Sequence, residues 1–164
     1  MPKFTAIIYA CAEDAPYLNR ALESLKCASD IMLINADNDP EVSSAARKRF
    51  VRQRRGIPGV SPGAYTMDAF HDWILVMRPH EALSKDLQRS LDEWRKKKHD
   101  ESHGYAFGIW QQDGEKWQSL PAEMRLVNRR QVNWMGELPP RMNAPALPGP
   151  LLRYEHGQEN QKAA

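Results

Sequence analysis

Cysteine is scarce in this sequence, with Cys11 and Cys27 the two present among 164 residues. Two cysteines cannot build the disulfide framework that stabilises many small secreted domains. Neither has a histidine or a second cysteine nearby, so the pair does not form a zinc site either. The scarcity therefore predicts reduced thiols and a cytoplasmic protein.

Long hydrophobic runs are also missing. The longest uninterrupted apolar stretch in the middle of the chain is Trp73–Met77, whereas roughly 18–20 apolar residues are needed to span a bilayer. The apolar run near the N-terminus is short and is interrupted by Glu13 and Asp14, which is not the pattern of a signal peptide. We expect no transmembrane segment, and any membrane contact to be peripheral.

An excess of charge of one sign is absent as well. Lys+Arg number 23 and Asp+Glu number 21, for a net charge of +2. This balance argues against a dedicated nucleic-acid coat, so no nucleic-acid partner is predicted. The sequence also has no glycine-rich phosphate loop, no Ser-His-Asp arrangement and no Cys-x-x-Cys motif.

The composition that remains is that of an ordinary folded domain. Apolar residues make up 41% and charged residues 27% of the chain, enough to bury a core and too apolar for a disordered chain. A length of 164 residues corresponds to one domain. We expect a single domain over residues 1–156 and a disordered polar tail over 157–164.

The first 40 residues predict a strand, a helix and a second strand. Residues 4–10 are apolar and β-branched without helical spacing, and residues 30–36 repeat that pattern. Between them Asp14 caps a helix with Pro16 in its first turn, and this helix ends near Lys26. Two buried strands joined by a helix imply a parallel pair with a right-handed crossover.

The middle of the chain continues this alternation. Residues 41–55 predict a second helix that becomes basic toward its end, and a glycine- and proline-rich loop follows over 56–63. A third strand at Trp73–Met77 is closed by Pro79. A long helix over 83–98, capped by Ser84, comes next because its apolar residues recur at helical spacing.

After residue 104 the pattern changes to short segments rich in aromatic and branched residues. Strands are expected at 104–111, 117–120, 124–128 and 132–135, with a turn at Asp113-Gly114. Residues 139–150 contain five prolines and predict an irregular covering loop, before a last short strand at 151–154. The fold class is therefore α/β: a mostly parallel, Rossmann-like sheet flanked by helices, with a β-rich C-terminal part.

Polar residues follow each of the three predicted parallel strands, at residues 11–14, 35–39 and 78–81. In open α/β sheets, ligands bind beyond the carboxyl ends of such strands, so three polar ends in one sheet favour a binding site. The alternative is that these residues are polar because loops are exposed to water.

The order of these segments resembles the family-two nucleotide-sugar glycosyltransferases, which have the GT-A fold. The opening strand and turn at 7–13 (IIYACAE) and the helix end at 22–25 (LESL) match that family. Residues 72–84 (DWILVMRPHEALS) match its metal-motif segment and the helix start that follows. Residues 125–130 (RLVNRR) and the Gly136-Glu137 pair resemble its later Arg-Leu segment and acidic residue.

The resemblance implies inverting transfer of a sugar from a nucleotide-sugar donor, of UDP type, to a glycan or lipid acceptor. Glu137 stands where the family's general base is expected, to accept the proton of the acceptor hydroxyl. The residues that the resemblance assigns to the nucleotide sugar are Glu13, Asn35, Asp37, Arg78, His80 and Glu81.

The metal motif departs from that family's pattern. Its two carboxylates, which hold Mg²⁺ or Mn²⁺ on the diphosphate, are replaced here by Arg78 and His80. Arginine cannot ligate a metal, and His80 with Glu81 makes a poor site for a hard cation. No metal ligand is therefore assigned, although Mg²⁺ or Mn²⁺ as a cofactor stays open. Two interpretations stay open for Arg78: it offsets the diphosphate charge in a metal-independent transferase, or it is a structural residue.

Other interpretations also remain. The chain is alternatively a non-catalytic relative that binds a nucleotide, a glycan or a partner protein. The basic residues of 47–55 and 95–98 suggest RNA or anionic lipid, although solvated helix faces carry similar charge. Trp110, Trp117 and Trp134 suggest either a platform for sugar rings or, preferably, part of the core.

Overall fold

A mixed sheet forms the centre of the computed structural model, which describes residues 1–98 and 100–155. The strands are β1 Phe4–Ala10, β2 Asp30–Asn35, β3 Arg52–Arg55, β4 Trp73–Met77, β5 Glu81–Leu83, β6 Gly104–Asp113, β7 Lys116–Asn128 and β8 Ala146–Arg153. The helices are α1 Ala15–Ser24, α2 Pro40–Lys48 and α3 Lys85–Arg95, with 3-10 segments at Ala12–Asp14 and Pro62–Asp68. Within the described residues the strand order is β3-β2-β1-β4-β7-β6-β8-β5.

The parallel half is built as predicted. β1 is central and pairs in parallel with β2 on one side and with β4 on the other. Every residue of β4 is buried, as are six of the seven residues of β1, because helices cover one face of the sheet and loops cover the other. The predicted α/β fold class is confirmed, and so is the adjacency of the three apolar strands.

The second helix is shorter than predicted. α2 ends at Lys48, and Arg52–Arg55 forms the edge strand β3, parallel to β2. The helix stops because Phe50 adopts a left-handed conformation (φ +55°) and the amide of Val51 donates to the carbonyl of Ala46, which is a Schellman C-cap. A bulky residue rarely takes this conformation, so the sequence signal was weak.

The β-rich half also differs from the prediction. The two strands predicted between 117 and 128 form one strand, β7, and residues 132–135 are not a strand. The predicted covering loop at 139–150 is wrong from residue 146 onward, because β8 begins there and pairs in parallel with β6. Pro148 fits inside β8 because it lies where the register shifts, between the pairs Phe107–Leu147 and Gly108–Pro150.

The sheet has a hydrophobic core on each face. α1, α2 and α3 pack on one face, where Trp73 and Trp94 meet edge to face at 5.0 Å. The 62–68 segment and the loop at 132–138 cover the other face, where Trp134 is buried. Trp110 and Trp117 are 46% and 40% exposed, so of the three tryptophans one belongs fully to the core.

None of the described helices is long and apolar enough to cross a membrane.

Candidate functional site

A cavity of about 450 Å³ opens at the carboxyl ends of β1 and β4. Its floor is the loop-covered face of the sheet, and its rim is formed by the turns that follow the two strands. The residues that line it are Ile7, Tyr9, Glu13, Asp14, Gly59, Val60, Ser61, Pro62, Val76, Met77, Arg78, Pro79, His80, Glu137 and Leu138. Four of the predicted site residues, Glu13, Arg78, His80 and Glu137, therefore meet here.

Arg78 and Glu137 form an ion pair inside this cavity. Nε of Arg78 lies 3.2 Å from Oε1 of Glu137, and the two side chains are 33% and 65% exposed. The Nε–H group is nevertheless buried and makes no hydrogen bond among the described residues, because it does not point at the carboxylate. The cavity thus holds a half-buried cation with an unsatisfied donor, and an adjacent carboxylate that water can reach.

Glu81 was expected among the ligand-binding residues, but it does not line the cavity. It is fully buried, and its carboxylate accepts two hydrogen bonds from Arg125 (2.8 and 2.9 Å) and one from Arg153 (3.1 Å). Burial by itself would raise the pKa of Glu81, but Arg125 and the other donors outweigh burial and hold the pKa below its usual range. Glu81 is therefore an anion that is fully engaged within the protein.

This buried network positions the turn that carries Arg78. The backbone N–H of Arg78 donates to Oε1 of Glu81 at 2.8 Å. Nη1 of Arg125 donates at 3.1 Å to the carbonyl of Val76, which lies two residues before Arg78. The end of β4 and the turn after it, which carries Arg78, are thus held in place by hydrogen bonds from this buried network.

The turn after β1 is closed by two aspartates. Oδ2 of Asp14 accepts from the backbone N–H of Cys11 at 2.8 Å, and Oδ2 of Asp37 accepts from that of Ala12 at 2.7 Å. Asp37 therefore links the end of β2 to the turn after β1 and does not itself line the cavity. Burial raises the pKa of the Cys11 thiol, and the carboxylates of Asp37, Asp14 and Glu13 raise it further, so this cysteine is no activated nucleophile.

Asn35 was also expected to contact the nucleotide, and the structure places it outside the cavity. Its side chain is buried, where Oδ1 accepts from the amide of Asp39 at 2.9 Å and Nδ2 donates to the Asp39 carbonyl at 2.9 Å and to Oγ of Ser43 at 3.1 Å. These bonds shape the turn between β2 and α2. Asp39 then caps α2 by accepting from the amides of Glu41 and Val42.

The remaining cavity wall comes from segments that sequence reasoning did not single out. Residues 59–62 belong to the predicted glycine- and proline-rich loop, and Tyr9 lies near the end of β1. Gly63 donates its backbone N–H to the carbonyl of Gly136, which joins this loop to the segment that carries Glu137. A Cβ at Gly63 would lie 2.8 Å from the Met135 backbone, so glycine is required for the approach. Such a loop signals a turn, but nothing in its sequence shows which cavity it lines.

The side chains around the cavity do not suit Mg²⁺ or Mn²⁺. These hard cations prefer several carboxylate or carbonyl oxygens. Arg78 and His80 stand at the positions of the metal carboxylates, and the carboxylate of Glu81 already accepts hydrogen bonds from Arg125 and Arg153. Among residues 1–98 and 100–155, no three histidine, cysteine, aspartate or glutamate side chains converge on one point. No step is therefore assigned to a metal ion.

No protein-family model and no curated protein matches the chain, whereas solved structures do. Over 79% of this chain and 72% of its own, the crystal structure of 4-diphosphocytidyl-2C-methyl-D-erythritol synthase from Anaerococcus prevotii aligns at a TM-score of 0.50 and 11% identity. A second structure of a synthase with this name aligns at 0.49 and 12% identity, over 78% and 76%. CMP:2-keto-3-deoxy-manno-octonic acid synthetase in complex with CTP aligns at 0.45 and 11%, over 66% of this chain.

The chain spans about half the length of that last synthetase, 52%. The likeness at a TM-score of 0.50 shows that the chain shares the α/β fold of that synthase from Anaerococcus prevotii. It does not single out the family-two glycosyltransferases. An identity of 11% shows the fold alone, so the reaction has to be argued from the site.

Proposed function

We propose that this protein is a nucleotide-utilising transferase whose cavity binds a nucleotide with its phosphates at Arg78. The observation that carries the proposal is the Arg78–Glu137 pair, which places a cation and a carboxylate 3.2 Å apart in one cavity beyond β1 and β4. That edge of a parallel sheet is where α/β proteins bind their ligands.

Arg78 is suited to a diphosphate for three reasons. Guanidinium pairs with phosphate oxygens in a bidentate manner and stays charged at all relevant pH values. The side chain is half-buried, which strengthens its electrostatic interactions relative to those in water. Its backbone is held by Glu81, so little freedom is lost when a ligand binds.

The specific reaction that we propose is inverting sugar transfer, with Glu137 as the general base. The acceptor hydroxyl gives its proton to a carboxylate oxygen of Glu137 while its own oxygen attacks the anomeric carbon. The bond from that carbon to the donor diphosphate breaks, and the charge that develops on the diphosphate faces Arg78. The 65% exposure of Glu137 leaves room for an acceptor.

Two considerations limit the choice of nucleobase. The sequence resemblance favours a UDP-type donor. The fold likeness is to a diphosphocytidyl synthase, which adds cytidine nucleotides to the candidates. UDP, CDP and CTP therefore form the set of ligands to test.

A second candidate function is a non-catalytic relative that binds a nucleotide without turnover. The observation that favours it is the replacement of both metal-motif carboxylates, by Arg78 and His80. In that case Arg78 still binds phosphate, but the wild-type protein shows no turnover that Glu137→Gln could abolish. The two candidates thus differ in a measurable way.

Calorimetric titration with UDP, CDP and CTP, each with Mn²⁺ and with a chelator, tests the proposal. We expect Arg78→Ala to weaken nucleotide binding by about 30–150-fold, because a partly desolvated guanidinium–phosphate pair contributes about 2–3 kcal/mol. The matched control is Arg89→Ala, because Arg89 forms a solvent-exposed ion pair with Asp86 on α3, away from the cavity. Its effect on nucleotide binding should be negligible. Glu137→Gln should retain nucleotide binding and abolish turnover of the nucleotide sugar.

Two results would decide against the enzyme. If the wild-type chain binds none of the three nucleotides, the cavity serves a glycan or a protein partner. If binding and turnover are both insensitive to Arg78 and Glu137, the site lies elsewhere. Stoichiometric uptake of Mn²⁺ in the presence of UDP, abolished by His80→Ala, would contradict a metal-independent site.

A further inference from the structure

We infer that the β3 edge of the sheet is a docking surface for an anionic lipid bilayer. This surface, called the cationic edge below, comprises residues 47–57 together with Met67 and Phe70. The inference rests on charge and exposure along this edge and is independent of the proposed function.

The charged residues of the segment 47–57 are concentrated in sequence and are all basic. Between Glu41 and Asp68 the sequence has six arginine or lysine residues and no acidic residue, although the whole chain carries only +2. Three of the six cations are paired, in the ion pairs Arg49–Glu23, Arg52–Asp30 and Arg54–Asp68. The other three, Arg47, Lys48 and Arg55, are exposed and make no ion pair within the described residues.

Large apolar side chains are exposed among these cations. Phe50 is 97% exposed, Met67 87%, Phe70 67% and Ile57 55%. The Schellman C-cap of α2 turns Phe50 outward, between the helix and β3. The guanidinium of Arg52 lies over the ring of Phe70 at 3.9 Å, which ties this ring to the edge.

Cations interleaved with exposed apolar side chains match the chemistry of an anionic membrane surface. Lysine and arginine are attracted to acidic headgroups, while phenylalanine, methionine and isoleucine insert at the boundary with the acyl chains. RNA fits less well because it offers stacking partners to aromatic faces and nothing to Ile57 or Met67. The ring face of Phe70 is in addition already covered by Arg52.

The position of the edge also suits this partner. β3 is the outermost strand of the sheet at this side, so no other described strand covers it. Residues 59–62, which line the cavity, begin two residues after Ile57, the last residue of the segment 47–57. A bilayer bound at the edge would therefore lie next to the mouth of the cavity.

Co-sedimentation with lipid vesicles tests the inference on the full chain. We expect binding to vesicles of phosphatidylcholine with phosphatidylglycerol, release by salt, and little binding to phosphatidylcholine alone. The combined change Arg47→Glu, Lys48→Glu and Arg55→Glu should weaken partitioning by at least about 100-fold, since each cation near such a surface contributes about fivefold. The control changes Lys85→Glu, Arg89→Glu and Lys98→Glu alter the net charge equally on and after α3, at the other end of the sheet, and should have a much smaller effect.

The apolar contribution is tested separately by Phe50→Ser, which leaves every charge in place. The partitioning of this variant should fall about tenfold, whereas Trp110→Ser, at an exposed aromatic position on β6, should change little. Equal binding to neutral and anionic vesicles would overturn the inference. So would equal losses in the two triple variants, or binding to polyuridylate without binding to vesicles.

Discussion

Asp100 is held by four hydrogen bonds from three residues close to it in sequence, three from side chains and one from a backbone N–H. Oδ2 accepts from Nε1 of Trp94 at 2.8 Å and from the hydroxyl of Tyr105 at 2.6 Å. Oδ1 accepts from the hydroxyl of Ser102 at 2.7 Å and from its backbone N–H at 3.0 Å. Burial by itself would raise the pKa of Asp100, but these bonds outweigh burial and lower it from 3.8 to about 2.

We expect Asp100→Asn to destabilise the protein by about 1–3 kcal/mol at neutral pH, because the amide cannot accept from all these donors. The folded-state pKa is below the unfolded value, so the carboxylate stabilises the fold above pH 3.8 and loses this effect as the pH falls toward about 2. Urea unfolding across this interval should therefore show the wild type and the variant converging. A difference that stays constant down to the lowest pH would contradict this assignment.

For the candidate site, the sequence could predict which segments lie close together, but not which of their side chains line the cavity. The three polar strand ends were identified because parallel strands end at one edge. Glu81 and Glu13 look equivalent in sequence, yet one is buried against Arg125 and the other lines the cavity. The difference depends on Arg125, which is distant in sequence and lies on β7, the strand that pairs with β4.

Four strands depend on Arg125 and its partners. Arg125 lies on β7, donates to the carbonyl of Val76 on β4, and pairs with Glu81 on β5, which also pairs with Arg153 on β8. We expect Arg125→Met to cost about 3–5 kcal/mol of unfolding free energy, because it leaves a buried carboxylate short of its main partner. Arg89→Met, which breaks an exposed pair with Asp86, should cost less than about 0.5 kcal/mol in the same denaturant titration.

The contact between β8 and α3 requires glycine at position 149. Gly149 has φ +98°, and a Cβ there would lie 2.4 Å from the backbone nitrogen of Leu87. Gly149→Ala should therefore lose about 2–4 kcal/mol, from backbone strain and from displacement of the helix. Gly108→Ala is the matched control, since a Cβ at Gly108 meets no atom within 4 Å. Similar midpoints for the two variants in thermal unfolding would contradict this prediction. They would show that a side chain at position 149 can push α3 away from β8 without loss of stability.

The elements that sequence reasoning missed share a physical cause. β3 consists of charged residues at a sheet edge, so it lacks the apolar pattern of a buried strand. β8 contains two prolines and is recognisable only from its pairing with β6 and β5. In both cases the strand is specified by neighbours distant in sequence, whereas β1, β2 and β4 carry their own apolar signal.

The molecule should unfold as one unit over the described residues. The ladder between β4 and β7 joins the parallel half to the β-rich half, and both cores lie against this one sheet. Tryptophans occupy both cores, with Trp73 and Trp94 on one face and Trp134 on the other. Fluorescence and far-ultraviolet circular dichroism should therefore give superimposable denaturant transitions. Two separated transitions would show that the halves are independent domains.

The place of β8 between β6 and β5 has a consequence for biosynthesis. A ribosome releases β5, α3 and β6 before it releases residues 146–153, so a nascent chain of intermediate length exposes two unpaired strand edges. Such edges pair readily with other chains. The parallel strands β1, β2 and β4 are complete much earlier and can pair with one another during translation. The interval between the emergence of β6 and that of β8 is therefore when this chain most needs protection by a chaperone.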